Sequence, residues 1–181
     1  FLIILAQNSP SISPNLCRLF MANYLIGNLV DKVDNLIITG TQQVGAGIYH
    51  PSLHNQSGDF ITNLNFRPAS EAALADEFID NTHPIIKNRL EYLDFLNRNN
   101  LLDAPEASIV SAGKFASHAE IRVLDEAIKK LEDLEGIPRG SFPESRLDEF
   151  TIFVKFRTGT CPPRCVACWH ISNGVLMIGN D

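Results

Sequence analysis

Residues 117–136, SHAEIRVLDEAIKKLEDLEG, form the clearest helical signal in the chain, and the order of elements C-terminal to them limits the fold most. Ile121, Leu124, Ile128 and Leu131 recur at helical spacing, and Gly136 and Pro138 end the run. A Pro/Gly/Ser loop then leads to FTIFVKF, whose β-branched and aromatic residues predict a strand. A cysteine-rich segment, a short helix and a last apolar run, GVLMIG, complete the second half. Helix, strand, helix, strand implies crossover connections and parallel strands.

The first half reads differently. VGAGIYHPSLHNQSGDFITNLNF predicts two strands around a loop, with Pro51, Asn55 and the run from Ser57 to Asp59 supplying turn chemistry. In the second of these strands Phe60, Thr62, Leu64 and Phe66 share one face, and Ile61, Asn63 and Asn65 the other. Two helices should follow. One covers residues 69–80; the next has Thr82 as N-cap, Pro84 in its first turn and a stripe of Ile86, Leu90, Leu93 and Leu96. Residues 99–114 read as a connector in which SIV suggests a short strand. Ahead of the hairpin, Leu16, Leu19, Phe20, Tyr24 and Leu25 predict a helix packed on the core, with Cys17 a small buried hydrophobe. The organisation expected is an accessory helical segment, residues 1–35, and a main domain, residues 36–181.

Composition narrows the function classes. The 181 residues carry 15 Lys+Arg against 21 Asp+Glu, a net charge of −6. Such a chain is a poor non-specific duplex binder, because phosphate neutralisation needs clustered cations. A small nucleotide or a short single strand in a local pocket stays compatible. Four cysteines are too sparse for a disulfide scaffold. The opening FLIILAQ is too short to span a bilayer and is not expected to be a signal peptide. Starting at Phe1 rather than Met, the sequence is expected to be a fragment or a released module of something longer.

Three of the cysteines, Cys161, Cys165 and Cys168, fall in TCPPRCVACWHISNG. Cys165 and Cys168 form a C-x-x-C, and at i and i+3 of a helix both sulfurs can meet one metal ion. Pro163 suits a helix start, where the dipole and unpaired N–H groups favour thiolate. The same spacing also serves a redox pair or half of a zinc ribbon. His118 in SHAE can supply an imidazole. Zinc on His118, Cys165 and Cys168 would keep its fourth position for water, the mark of a catalytic site. Glu120 is then the proton carrier. Residues i and i+2 diverge by about 200° around a helix, but at its N-terminus both can reach past the end. Against this stands a simpler reading of SHAE: Ser117 and Glu120 also match a capping box. Cys161 could close the metal site as a fourth ligand, although a free thiol is expected.

H-x-E followed by P-C-x-x-C is the signature of zinc-dependent nucleobase deaminases. The wider pattern, with GAGIYHPSLHNQSGDFITNLNF, HPIIKNRLEYL, SHAEIRVLDEAIKKLE and PPRCVACWHISNGVLMIGND, resembles the YwqJ-like deaminases found among bacterial polymorphic toxin domains. In that family a hairpin precedes an inserted helix, the H-A-E helix and the C-x-x-C helix. This chain departs in one respect: Arg164, not proline, directly precedes Cys165.

The resemblance implies a cytidine deaminase-like three-layer α/β/α sandwich with an extra N-terminal helix. It implies zinc held by His118, Cys165 and Cys168, with Glu120 moving protons. The substrate would be a nucleobase, with cytosine in a nucleotide or single-stranded nucleic acid favoured. It further implies action in a reducing cytoplasm and, for a toxin, delivery there and an immunity protein as partner; no membrane partner is expected. Asn63 or Asn65 would contact substrate, or else line a solvated strand face. Trp169 and His170 could stack on a base, with a core position the alternative for Trp169. A module of the same fold whose zinc is only structural is the alternative function. His50, His54 and His83 are expected at the surface, and Lys129 and Lys130 on a solvated helix face.

Overall fold

The computed structural model describes residues 14–39, 44–57, 59–66, 71–103, 118–158 and 166–178. Its centre is a four-stranded mixed sheet in the order β2-β1-β3-β4, formed by β1 (Val44–Tyr49), β2 (Ile61–Leu64), β3 (Thr151–Phe156) and β4 (Leu176–Ile178). β1 runs antiparallel to both β2 and β3, with Gly47 opposite Thr62 on one side and Phe153 on the other. β3 and β4 are parallel, as the helix–strand–helix–strand order requires.

Both faces of the sheet are covered by helix, so the central strands alternate between two cores. Ala46, Ile48, Ile61, Ile152 and Val154 turn to the larger core, shared with α5 (Ala119–Glu135). There Ile121, Leu124, Ile128 and Leu131 are fully buried. Phe153, with Phe60 and Leu64 beside it, turns to the opposite face and meets α1 (Pro14–Thr39). Gly47 marks how closely α1 approaches. A Cβ there would stand 2.5 Å from Leu29 Cδ1 and 2.7 Å from Val33 Cγ2. The helix placed by sequence in an accessory segment thus lies directly on β1 and runs past residue 35. Its buried stripe is Leu25, Leu29 and Val33, whereas Tyr24 is exposed. Cys17 falls on α1, but its side chain lies outside the described residues.

Three other features differ from the sequence reading. The loop between β1 and β2 contains a helix, α2 (Pro51–Ser57). The helix expected over 69–80 is α3, Ala72–Asn81. The N-cap of α4 (Pro84–Arg98) is His83, not Thr82: His83 Nδ1 accepts from the N–H of Ile85 at 3.2 Å, while the Thr82 hydroxyl donates to Asp125. The suggested SIV strand lies outside the described residues.

His50 and His83 are buried rather than at the surface, and both for the same reason. Each lends Nδ1 to a backbone N–H at a helix start and turns Nε2 to a carboxylate. His50 takes Ser52 N and Glu149; His83 takes Ile85 N and Glu132. Glu132 also accepts from the N–H groups of Gly140 and Phe142, which ties the loop after α5 to its last turn. His54 is half-buried against Phe60, with ring centroids 4.7 Å apart. Among the described residues, no helix is long and apolar enough to cross a membrane.

Candidate metal centre

The topology brings three chain segments to one edge of the sheet. α5 leads back into β3 through a loop and a short 3-10 helix, Glu144–Glu149, so its N-terminus lies at the end where β3 finishes. The short helix α6 (Val166–Ile171) comes after β3 and begins at that same end. β2 is parallel to β3, because β1 is antiparallel to each, so the C-terminal end of β2 arrives there too. This edge, at the carboxyl ends of parallel strands, is where open α/β sheets commonly hold their ligands.

Each segment contributes a side chain. His118, with φ −74 and ψ 137, is the N-cap of α5. From α6, Cys168 Sγ meets His118 Nδ1 at 2.8 Å, across fifty residues of sequence. Glu120 Oε1 lies 3.9 Å from the same Nδ1. The three donor atoms fall within 4.8 Å of one another and could together hold a metal ion. Just after β2, Asn65 Oδ1 accepts the backbone N–H of Ala119 at 2.6 Å and so caps α5 in place of its own N-cap side chain. Cys168 is fully buried and Glu120 nearly so, whereas the His118 ring keeps 22 % of its surface exposed. The cluster therefore reaches solvent on its imidazole side.

The helix register bears on the capping-box alternative. A box made by Ser117 and Glu120 needs residue 118 to be helical and Glu120 to stand third in the helix. His118 instead has extended backbone, and α5 begins at Ala119, so Glu120 is its second residue. Ser117 itself lies outside the described residues.

Other residues singled out by sequence fall elsewhere or are not described. Cys161 and Cys165 lie outside the described residues. Asn63 shares a strand face with Asn65 but donates to Glu126 Oε2 at 3.2 Å. It lines an open groove of about 310 Å³ along α5, with Arg122, Lys129 and Lys130. Lys129 and Lys130 are both engaged there, by Asp125 and Glu126. Trp169 is 50 % exposed, not a core residue, and stands edge-on to the half-exposed His170 at 5.1 Å.

Two arginines near the site escaped the sequence reading. Arg122 lies over the Phe66 ring at 3.8 Å and donates to the Leu64 carbonyl, which fixes the end of β2 on α5. Burial pulls its guanidinium below the ordinary value, with Glu71 and Glu126 acting the other way. Arg89, on α4, donates to carbonyls at the end of α6. A lone arginine in an amphipathic helix reads as a solvated position, so neither carries a sequence signal. Comparison with family models, with curated proteins and with solved structures returns no match for the chain.

Proposed function

We propose that the chain is a zinc-dependent hydrolytic deaminase of the cytidine deaminase-like, YwqJ-type class, acting on a nucleobase. The observation that carries this reading is the convergence of His118, Glu120 and Cys168, from two separate motifs, at one edge of a mixed sheet. The donor set supports zinc in particular. Imidazole and thiolate suit it, whereas magnesium and calcium take oxygen ligands. His118 Nδ1 and Cys168 Sγ face one another directly at 2.8 Å, so an imidazole and a thiol from two separate motifs are already paired at this edge. His118, Cys165 and Cys168 would be the ligands.

Zinc, when bound, lowers the pKa of a coordinated water toward neutrality. Glu120 takes a proton from the attacking water as its oxygen bonds to the amino-bearing ring carbon. It gives that proton to the ring nitrogen, then carries the second proton, from the hydroxyl now on the carbon, to the departing amine. The carbon–nitrogen bond breaks, ammonia leaves and a carbonyl remains. Glu120 is suited to this by its place beside His118 in the first turn of α5, 3.9 Å from the imidazole Nδ1. Trp169 offers an exposed aromatic face next to Cys168 on which a base could stack.

Cytosine, in a nucleotide or a single strand, is the substrate we favour, and the net charge of −6 argues against a long duplex. A toxin role, an immunity protein and a cytoplasmic site of action rest on the resemblance alone. The test is to incubate zinc-loaded protein with cytidine, adenosine, single-stranded DNA, duplex DNA and RNA, and to chromatograph the products. Conversion of cytosine to uracil in one of them is expected. Bound zinc with no conversion of any base would favour a structural zinc module instead.

A further inference from the structure

The helix that carries Cys168 is six residues long, too short to hold its own shape in water. Its last carbonyls also lack intrahelical partners. The structure meets both needs with one side chain from another helix. Arg89 Nη1 donates to Ile171 O at 2.7 Å and to Asn173 O at 2.8 Å. The same guanidinium is aimed by Glu144, whose Oε1 accepts from Nε at 2.8 Å and from Nη2 at 2.6 Å. A cation at this end of α6 also complements the helix dipole. Arg89 is itself held firmly, since Ile86, Leu90 and Leu93 seat α4 in the core around it. At the end of α6, the Cys168 carbonyl accepts from Ser172 N at 2.9 Å and from Ser172 Oγ at 2.6 Å, so the cysteine's backbone is bonded to the segment that Arg89 grips.

We infer that Arg89 is a positioning residue for the metal centre: it fixes α6, and through it the place of Cys168 Sγ opposite His118. This rests on the zinc reading proposed for the site. Its consequence is that metal affinity depends on a side chain that touches no ligand atom. Partners that orient metal ligands typically change affinity by about 10–100-fold when removed. Nη1 serves both carbonyls while Nε and Nη2 hold Glu144, so a lysine ammonium can replace the donor and the charge but not the whole fork.

The test is zinc affinity of the purified full chain, measured by competition with a chromophoric chelator, together with the visible spectrum of the cobalt(II)-loaded protein. Arg89→Ala should bind zinc about 10–100-fold more weakly and shift the cobalt bands. Arg89→Lys, which keeps a donor and the charge, should recover part of the affinity lost in Arg89→Ala and move the spectrum back toward wild type. Leu131→Ala, a core truncation toward the other end of α5, should lower stability but leave the spectrum and affinity near wild type. Should Arg89→Ala not fold, Arg89→Gln carries the test, because its shorter, uncharged side chain loses the Glu144 ion pair and the cation at the end of α6 and should lose affinity measurably. Wild-type affinity and spectrum in Arg89→Ala or Arg89→Gln would overturn the assignment, as would an equal loss in Leu131→Ala. Failure of the wild-type chain to bind zinc at all would overturn the zinc reading, and this inference with it.

Discussion

Asn65 and Ala119 are joined by a 2.6 Å hydrogen bond from the Ala119 N–H to the Asn65 side-chain oxygen, so the end of β2 caps the helix that bears His118 and Glu120. His118 makes no side-chain cap of its own. Its ring is left to face Cys168 because a neighbouring strand does the capping.

That division of labour has a measurable cost. Asn65→Ala should lower stability by about 0.5–2 kcal/mol, the range of a lost N-cap. Asn65→Asp keeps the acceptor and should stay within about 0.5 kcal/mol of wild type. Urea unfolding of the three proteins checks this, and an unchanged midpoint in Asn65→Ala would contradict the capping role.

The contact between α1 and the sheet can be tested at Gly47. A Cβ at this position meets Leu29 and Val33, both fully buried, so α1 must shift or repack. Gly47→Ala should destabilise by about 1–3 kcal/mol, the range for overpacking. Thermal unfolding followed by circular dichroism reads this out. A neutral effect would mean that α1 contributes little to the fold.

Glu149 and Glu132 both contribute to the acid limb of stability. Arg146, and after it His50, hold the Glu149 carboxyl down to about 2 from an ordinary 4.5, with burial opposing them. Burial alone would push Glu132 up, but His83 and the N–H groups of Gly140 and Phe142 outweigh it and keep that carboxyl below its ordinary 4.5. Both folded values are depressed, so each contribution is complete above the unfolded value and is lost as pH falls through the folded one. The urea midpoint should therefore drop between about pH 4.5 and pH 2. Arg146→Ala should flatten that slope, since it frees Glu149 from its main partner. A midpoint that is level across this window in wild type would contradict the assignment.

Much of this architecture was legible in the sequence because its signals are local and periodic. The stripe from Ile121 to Leu131 is buried throughout, and the alternation about Ile61 separates Phe60 and Leu64 from Asn63 and Asn65 as period two requires. The nearness of His118 and Cys168 was legible as well, since a parallel crossover brings two successive helix starts to one sheet edge. The features that stayed hidden depend on partners far away in the chain. His50 meets Glu149 and His83 meets Glu132, 99 and 49 residues on, so nothing beside either histidine marks it as buried. Arg89 reaches Ile171 across 82 residues. The helix Pro51–Ser57 escaped because its Pro, Asn and Ser also fit a turn, and the cap that decides between them is the His50 ring.

The central claim, that Glu120 performs proton transfer at a metal centre, is tested most directly by Glu120→Ala. Zinc content, melting temperature and deamination should be measured on one preparation. Glu120 is not among the proposed zinc ligands, so zinc content should stay near wild type. Stability should fall by at most about 0.5–2 kcal/mol, the scale of a lost first-turn interaction. Deamination should fall at least about 100-fold to 10,000-fold, the range for a general acid–base. Deamination retained near the wild-type rate in a zinc-loaded Glu120→Ala protein would contradict the account.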